Sequence, residues 1–278
     1  MSEKAQIVLF IVLVLLTSWS YEAYIASHGG VAHFGLPGLL ALMSIPGLLS
    51  LLVRLVMRSG IADVGFVIGK AKYYLCAVSM PLALALLTAL LCTILDIRRF
   101  ALIDADALDR VGPVLLSMGG FGLLGAFGEE LGWRGFLLPK LVAGGISHPY
   151  AASGLVWASW HLPLIAFGGF YAADDIALIV PAYAISIFAI NLVISELRMR
   201  SESIWVATLF HASHNFFFQL AIPTLILATP GKRSDLWNAV GGDSGVIVAV
   251  LYVLAFLFLS RLPVRSVSSI STRQEDLA

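Results

Sequence analysis

The sequence predicts an all-α protein, a polytopic transmembrane helix bundle of about eight spans, and three observations predict it. Of its 278 residues, 59% are hydrophobic and only 12% are charged, with a mean hydropathy of +0.93. Average soluble domains carry roughly 45–50% apolar and about 25% charged residues. Apolar runs of about 20 residues, the length that crosses the hydrocarbon core, recur along the chain. The stretches between them are too short for a soluble module. So few charges cannot dress the surface of a 29.8 kDa globule, which disfavours a soluble enzyme, a disordered chain and a disulfide scaffold. Lys plus Arg and Asp plus Glu both number 17, without the basic excess of a nucleic-acid binder.

The runs read in order as helices, because unpaired backbone groups are too costly in lipid. The first covers about 5–27 and reads as an uncleaved helix, since its apolar core exceeds a signal-peptide h-region and Lys4 is a thin n-region. The second covers about 35–57. The third, about 72–95, holds Cys76 and Cys92 roughly 24 Å apart along one helix, beyond disulfide reach. The fourth, about 111–131, ends in a charged cluster. The fifth, about 149–169, contains Pro163, where a kink is expected. The sixth covers about 175–196, with Asp174 and Asp175 at its start, where acids suit a helix N-terminus. The seventh and eighth cover about 203–226 and 243–261. Residues 1–262 form one membrane-embedded domain with its core motifs in 111–220, and 263–278 form a polar cytoplasmic tail. On this count twelve of the seventeen Lys and Arg residues, Arg54, Lys140, Arg198 and Arg200 among them, share the side of both termini. That excess makes both termini cytoplasmic in a multi-pass protein of the cell (inner or plasma) membrane.

Ionisable groups inside a membrane span are expensive and mark function by default. Three clusters stand out: Glu129-Glu130 with Arg134, Trp157 to His161, and His211 to Asn215. On the predicted topology all three fall in the cytoplasmic half or near mid-depth, as one shared site requires. Successive helical residues diverge by about 100°, so Glu129 and Glu130 cannot face one point. Glu130 and Arg134 are four apart and can pair along the helix surface, leaving Glu129 to face the interior. His211 and Asn215, also four apart, share a face and together can hold an oxyanion or position a water. Each cluster also has a plainer reading: interfacial acids, a hydrogen-bonded core histidine, interhelical glue. Trp157 can shield a site or simply pack. Ser159 faces away from His161 and is a poor nucleophile. Glu22 reads as structural, near the outer end of the first span.

The three clusters, in this order, resemble the CPBP family of intramembrane proteases, also called the CAAX protease and bacteriocin-processing (Abi) family. Its pattern is Glu-Glu-x-x-x-Arg, Phe-x-x-x-His and His-x-x-x-Asn. Glu129, Glu130 and Arg134 match the first motif, Trp157 and His161 the second with Trp for Phe, and His211 and Asn215 the third. The resemblance implies a membrane helix bundle with a buried active site and endopeptidase activity. Glu129 would activate a water with help from His161, and His211 with Asn215 would hold the oxyanion. Glu130, Arg134 and Trp157 would support them. A glutamic mechanism of this kind requires no cofactor. One divalent (zinc) ion on Glu129, His161 and His211 is the metal-dependent alternative. The implied partners are the lipid bilayer and a peptide or membrane-protein substrate, such as a prenylated tail or a leader-bearing chain. Two other readings stay open: a non-enzymatic immunity or scaffolding protein of the same family, and a proton-coupled transporter.

Overall fold

The structure, a computed structural model, describes residues 2–100, 107–169, 176–225 and 228–263. Asp174, Asp175 and almost all of the expected tail lie outside them. Helix α1 spans Glu3–Ser27; Ser2 caps it by accepting the Ala5 N–H, and Glu3 sits in its first turn, where a negative charge suits the helix dipole. Helix α2 spans Gly30–Val56 with a break at Gly35, which has a positive φ of 54°. Helix α3 spans Ala71–Ile94, and α4 spans Ala107–Gly132. A π-helical turn over Trp133–Leu137 then leads into the short helix α5, Leu138–Ala143. Helix α6 spans Pro149–Phe167 and α7 spans Ile176–Ser201. Helix α8, Ile204–Asn215, passes through a second π-turn, Phe216–Ala221, into α9, Ile222–Leu225. Helix α10 spans Val246–Arg261. Two three-residue strands, β1 Arg98–Phe100 and β2 Ala228–Pro230, pair antiparallel and satisfy the backbone of two loops.

Among the described residues, five helical stretches are long and apolar enough to cross a membrane: Glu3–Ser27, Gly30–Val56, Ala71–Ile94, Ile176–Ser201 and Ser234–Arg261. Polarity is distributed inside-out. Leu16, Leu55, Leu75, Leu155 and Phe258 are exposed, whereas Glu129, Glu130, Arg134, Asn191, His211 and His214 are buried. Continuous apolar surface of this extent faces lipid, not water. Helix α4 lies between α2 and α8, while α6 packs on α1 and α7. The approach of α2 to α4 depends on glycine. A Cβ on Gly128 would stand 2.8 Å from the Met43 carbonyl oxygen, and one on Gly132 would stand 2.6 Å from the Pro46 carbonyl carbon. Small residues four apart are what let membrane helices come this close, and here they seat the helix turn that carries Glu129 and Glu130.

A buried ionic network gathers one end of the bundle. Arg54 donates to Gly60 O and pairs with Asp63 at 2.6 Å. Lys140 reaches Asp63 at 3.3 Å and Glu3 at 3.1 Å. A π-turn widens the backbone ladder and leaves carbonyls to be met from outside. Arg54 Nη2 donates to Gly135 O at 2.8 Å and Arg198 Nε to Arg134 O at 3.2 Å. Arg200 donates to Leu262 O at 3.0 Å. Glu3 and Leu262, near opposite ends of the described chain, are therefore tied to the same end of the bundle.

Burial opposes ionisation of Asp63, but hydrogen bonds and charge from Arg54 and Lys140 outweigh it and hold its carboxyl below the usual range. A depressed folded-state pKa contributes stability above the unfolded value, about 3.9 for Asp, and loses it as pH falls below that. Asp63→Asn should therefore lower the thermal midpoint of detergent-solubilised protein near neutral pH, by about 1 kcal/mol for a carboxyl a third exposed. The gap from wild type should close as pH drops below about 4.

Candidate active site

The charged cluster of α4 turns inward as a whole. Glu129 is 2% exposed, and Glu130 and Arg134 are fully buried. The expected surface pairing of Glu130 with Arg134 is thus a core ion pair, at 2.8 Å, with a third member. His211 Nδ1 of α8 lies 2.9 Å from the same Glu130 Oε1. Spacing along one helix is silent about this, because the third partner arrives from another. Arg134 also donates to Asn191 Oδ1 at 3.1 Å, Asn191 donates to Tyr150 O at 2.7 Å, and Ser153 donates to Asn191 Oδ1 at 3.2 Å. Sequence reasoning missed Asn191, although a lone amide between Ile190 and Leu192 was a signal.

Glu129 takes its support from indoles. Trp157 Nε1 donates to its Oε2 at 2.8 Å and Trp133 Nε1 to the same oxygen at 3.3 Å. Trp157 also works through its backbone and its ring. Its carbonyl lies 2.9 Å from His161 Nδ1, and its ring lies 4.2 Å from the Arg134 guanidinium carbon, a cation–π contact. A carbonyl can only accept, so His161 donates from Nδ1, and in the neutral form of the ring this leaves Nε2 as a bare acceptor. His161 is further walled by Trp160 and Tyr183, at ring separations of 4.6 and 5.4 Å. His214 turns away from the Glu130 cluster to Tyr252, with Nδ1 2.9 Å from the phenol oxygen. Ser159 donates back to Leu155 O on the exposed side of α6, as expected of a residue outside the site.

One cavity of about 110 Å³ brings the candidates together. It is lined by Glu129, Trp157, His161, His211 and Asn215, and also by Glu22, Trp160, Tyr183 and His214. It has room for water among polar groups able to bind it. Glu130 and Arg134 stand behind it. Glu22 belongs to this lining and is 1% exposed; it is not an interfacial group at a span end. Among the described residues, no group of three His, Cys, Asp or Glu side chains converges so as to hold a metal ion. The expected ligand set of Glu129, His161 and His211 lines this one cavity, with His211 Nδ1 directed at Glu130.

Residues 111–217 match the Rce1-like family, described as type II CAAX prenyl endopeptidase Rce1-like. The matched stretch runs from α4 through α8 and contains every motif residue named above. No curated protein matches the chain. The match agrees with the CPBP/CAAX protease family that the motifs resemble. It supports, in general terms, a multi-pass membrane protein and a CAAX-type intramembrane endopeptidase.

Removing one member of a buried ion cluster leaves the other charge unpaired, at a cost of about 3–5 kcal/mol. Arg134→Met should therefore destabilise the protein strongly. The double variant Glu130→Gln/Arg134→Met should lose clearly less than the sum of the two single changes, read as unfolding midpoints in detergent.

Proposed function

We propose that the chain is a glutamic-type intramembrane endopeptidase. It would hydrolyse a peptide bond of a prenylated, leader-bearing or otherwise membrane-associated substrate. The observation that carries this reading is that Glu129, His161, His211 and Asn215, from three different helices, line one buried cavity. Both indole donors address Oε2 of Glu129, which leaves Oε1 for a water. The bare Nε2 of His161 accepts a hydrogen bond from that water's second O–H and orients it. Glu129 takes a proton, and the water oxygen attacks the scissile carbonyl carbon. The charge that develops on the carbonyl oxygen is met by the Asn215 amide and by His211. The contact of His211 Nδ1 with Glu130 fixes the ring so that Nε2 is the edge left to address the oxyanion. Fixed donors in a dry bundle are worth more than in water and need no reorganisation during reaction. The protein would sit in the cell (inner or plasma) membrane with both termini in the cytoplasm.

The test is cleavage by the full chain reconstituted in liposomes, with a prenylated peptide ending in a CAAX tetrapeptide as probe. Glu129→Gln should lower kcat by about 10²–10⁴-fold, and Asn215→Ala by about 10²–10³-fold, with membrane insertion unchanged. Chelator treatment should leave the wild-type rate unaltered. A rate lost to chelation and restored by zinc would overturn the metal-free form. If the prenylated probe is not cut, comparison of cell proteomes carrying wild type or Glu129→Gln identifies the fragment released; no difference between them would overturn the reading.

A further inference from the structure

Helix α6 runs through Pro163 without the ladder hydrogen bond the proline removes, and α1 makes good the loss. Pro163 has no N–H, so Ser159 O lacks its helical donor; Trp19 Nε1 of α1 donates to it at 3.2 Å. One residue beyond the proline, the Leu164 N–H donates to Glu22 Oε2 at 3.0 Å. That repair needs one acceptor oxygen, which a glutamine would supply. Glu22 brings a second, Oε1, which is buried and has no hydrogen-bond partner among the described residues. A buried polar atom without a partner is costly, and this one belongs to a residue lining the same cavity as Glu129. The other titratable groups on that lining are His161 on α6, Tyr183 on α7, and His211 and His214 on α8.

The two carboxyls are held unequally. Glu129 receives two indole N–H donors on one oxygen, as suits a base. Glu22 receives a single backbone N–H, and its other oxygen remains available to carry and deliver a proton. Paired carboxyls in contrasting surroundings divide acid and base roles. Amide hydrolysis needs both, because the departing nitrogen must gain a proton as the C–N bond breaks.

Building on the endopeptidase reading above, we propose that Glu22 is a second catalytic carboxyl, the acid that protonates the leaving amine. Glu129 takes one proton from water, and the resulting hydroxide forms the new C–O bond. As the tetrahedral intermediate collapses, the C–N electron pair moves to nitrogen, which accepts the proton of Glu22. The products are a carboxylic acid and a free amine. The proton held by Glu129 then passes through cavity water to Glu22, which restores both groups. Glu22 lies on α1, outside the stretch 111–217 matched by the family.

Two variants separate this role from simple repair of α6. Glu22→Gln keeps an acceptor for Leu164 N–H but cannot give a carboxyl proton, while Glu22→Asp keeps the carboxyl on a shorter arm. In the liposome assay with the prenylated peptide, Glu22→Gln should lower kcat about 100-fold with KM within about threefold. It should also abolish the falling alkaline limb of the kcat profile. Glu22→Asp should retain more activity than Glu22→Gln, whatever both do to the unfolding midpoint. The reverse order, or near-wild-type turnover by Glu22→Gln, would overturn the assignment. Those results with an active wild type and an inactive Glu129→Gln leave the endopeptidase reading standing. A wild type that cuts neither the probe nor any protein in the proteome comparison removes both.

Discussion

Glu130 holds the site together without lining its cavity. One of its oxygens meets Arg134 from its own helix and His211 from α8, and Arg134 passes the connection to Asn191 on α7. Three helices are thereby fixed by one fully buried carboxyl. In hydrocarbon a charge is tolerable only where its partners are already in place, so the cluster dictates register as well as proximity. A shift of one residue along α4 would strand the guanidinium, the carboxylate and the imidazole together. Glu129, the next residue back, inherits its direction from that constraint and has only to be caught by the indoles of Trp133 and Trp157.

The backbone shows the same economy. Two π-turns follow directly on motif helices, one after Glu129 and Glu130, the other after His211 and Asn215. Such turns leave carbonyls out of the helical ladder. After α4 those carbonyls are Arg134 O and Gly135 O, and arginines from α7 and α2 meet them. The network that closes one end of the bundle therefore also terminates the helix carrying the proposed base. Gly128 and Gly132 do the rest, bringing α2 close enough to leave no lipid between it and that helix.

Much of this was legible in the sequence. The helical class and the apolar spans follow from composition and run length. Glu129, His161, His211 and Asn215 stand out because a polar group in an apolar run has few inexpensive explanations. Other features depend on partners far away in the chain. The i,i+4 spacing of Glu130 and Arg134 fits an exposed face as well as a buried one, and His211, which decides between them, is 81 residues from Glu130. Glu22 sits close enough to a helix end to pass for an interfacial anchor; its partner is 142 residues on. The π-turns and the two short strands have no periodicity to read, because each is shorter than the pattern that would reveal it.

The bond between Glu22 and Leu164 also bears on how the chain is made. Helix α1 is synthesised before α6 and carries a carboxyl in its apolar run. The N–H that binds that carboxyl belongs to a helix not yet synthesised. Until α6 arrives, the long run of aliphatic residues before Glu22 must hold the helix in the bilayer without that bond. Synthesis order thus makes α1 a helix that enters the membrane unfinished and is completed when a later, proline-containing helix docks against it.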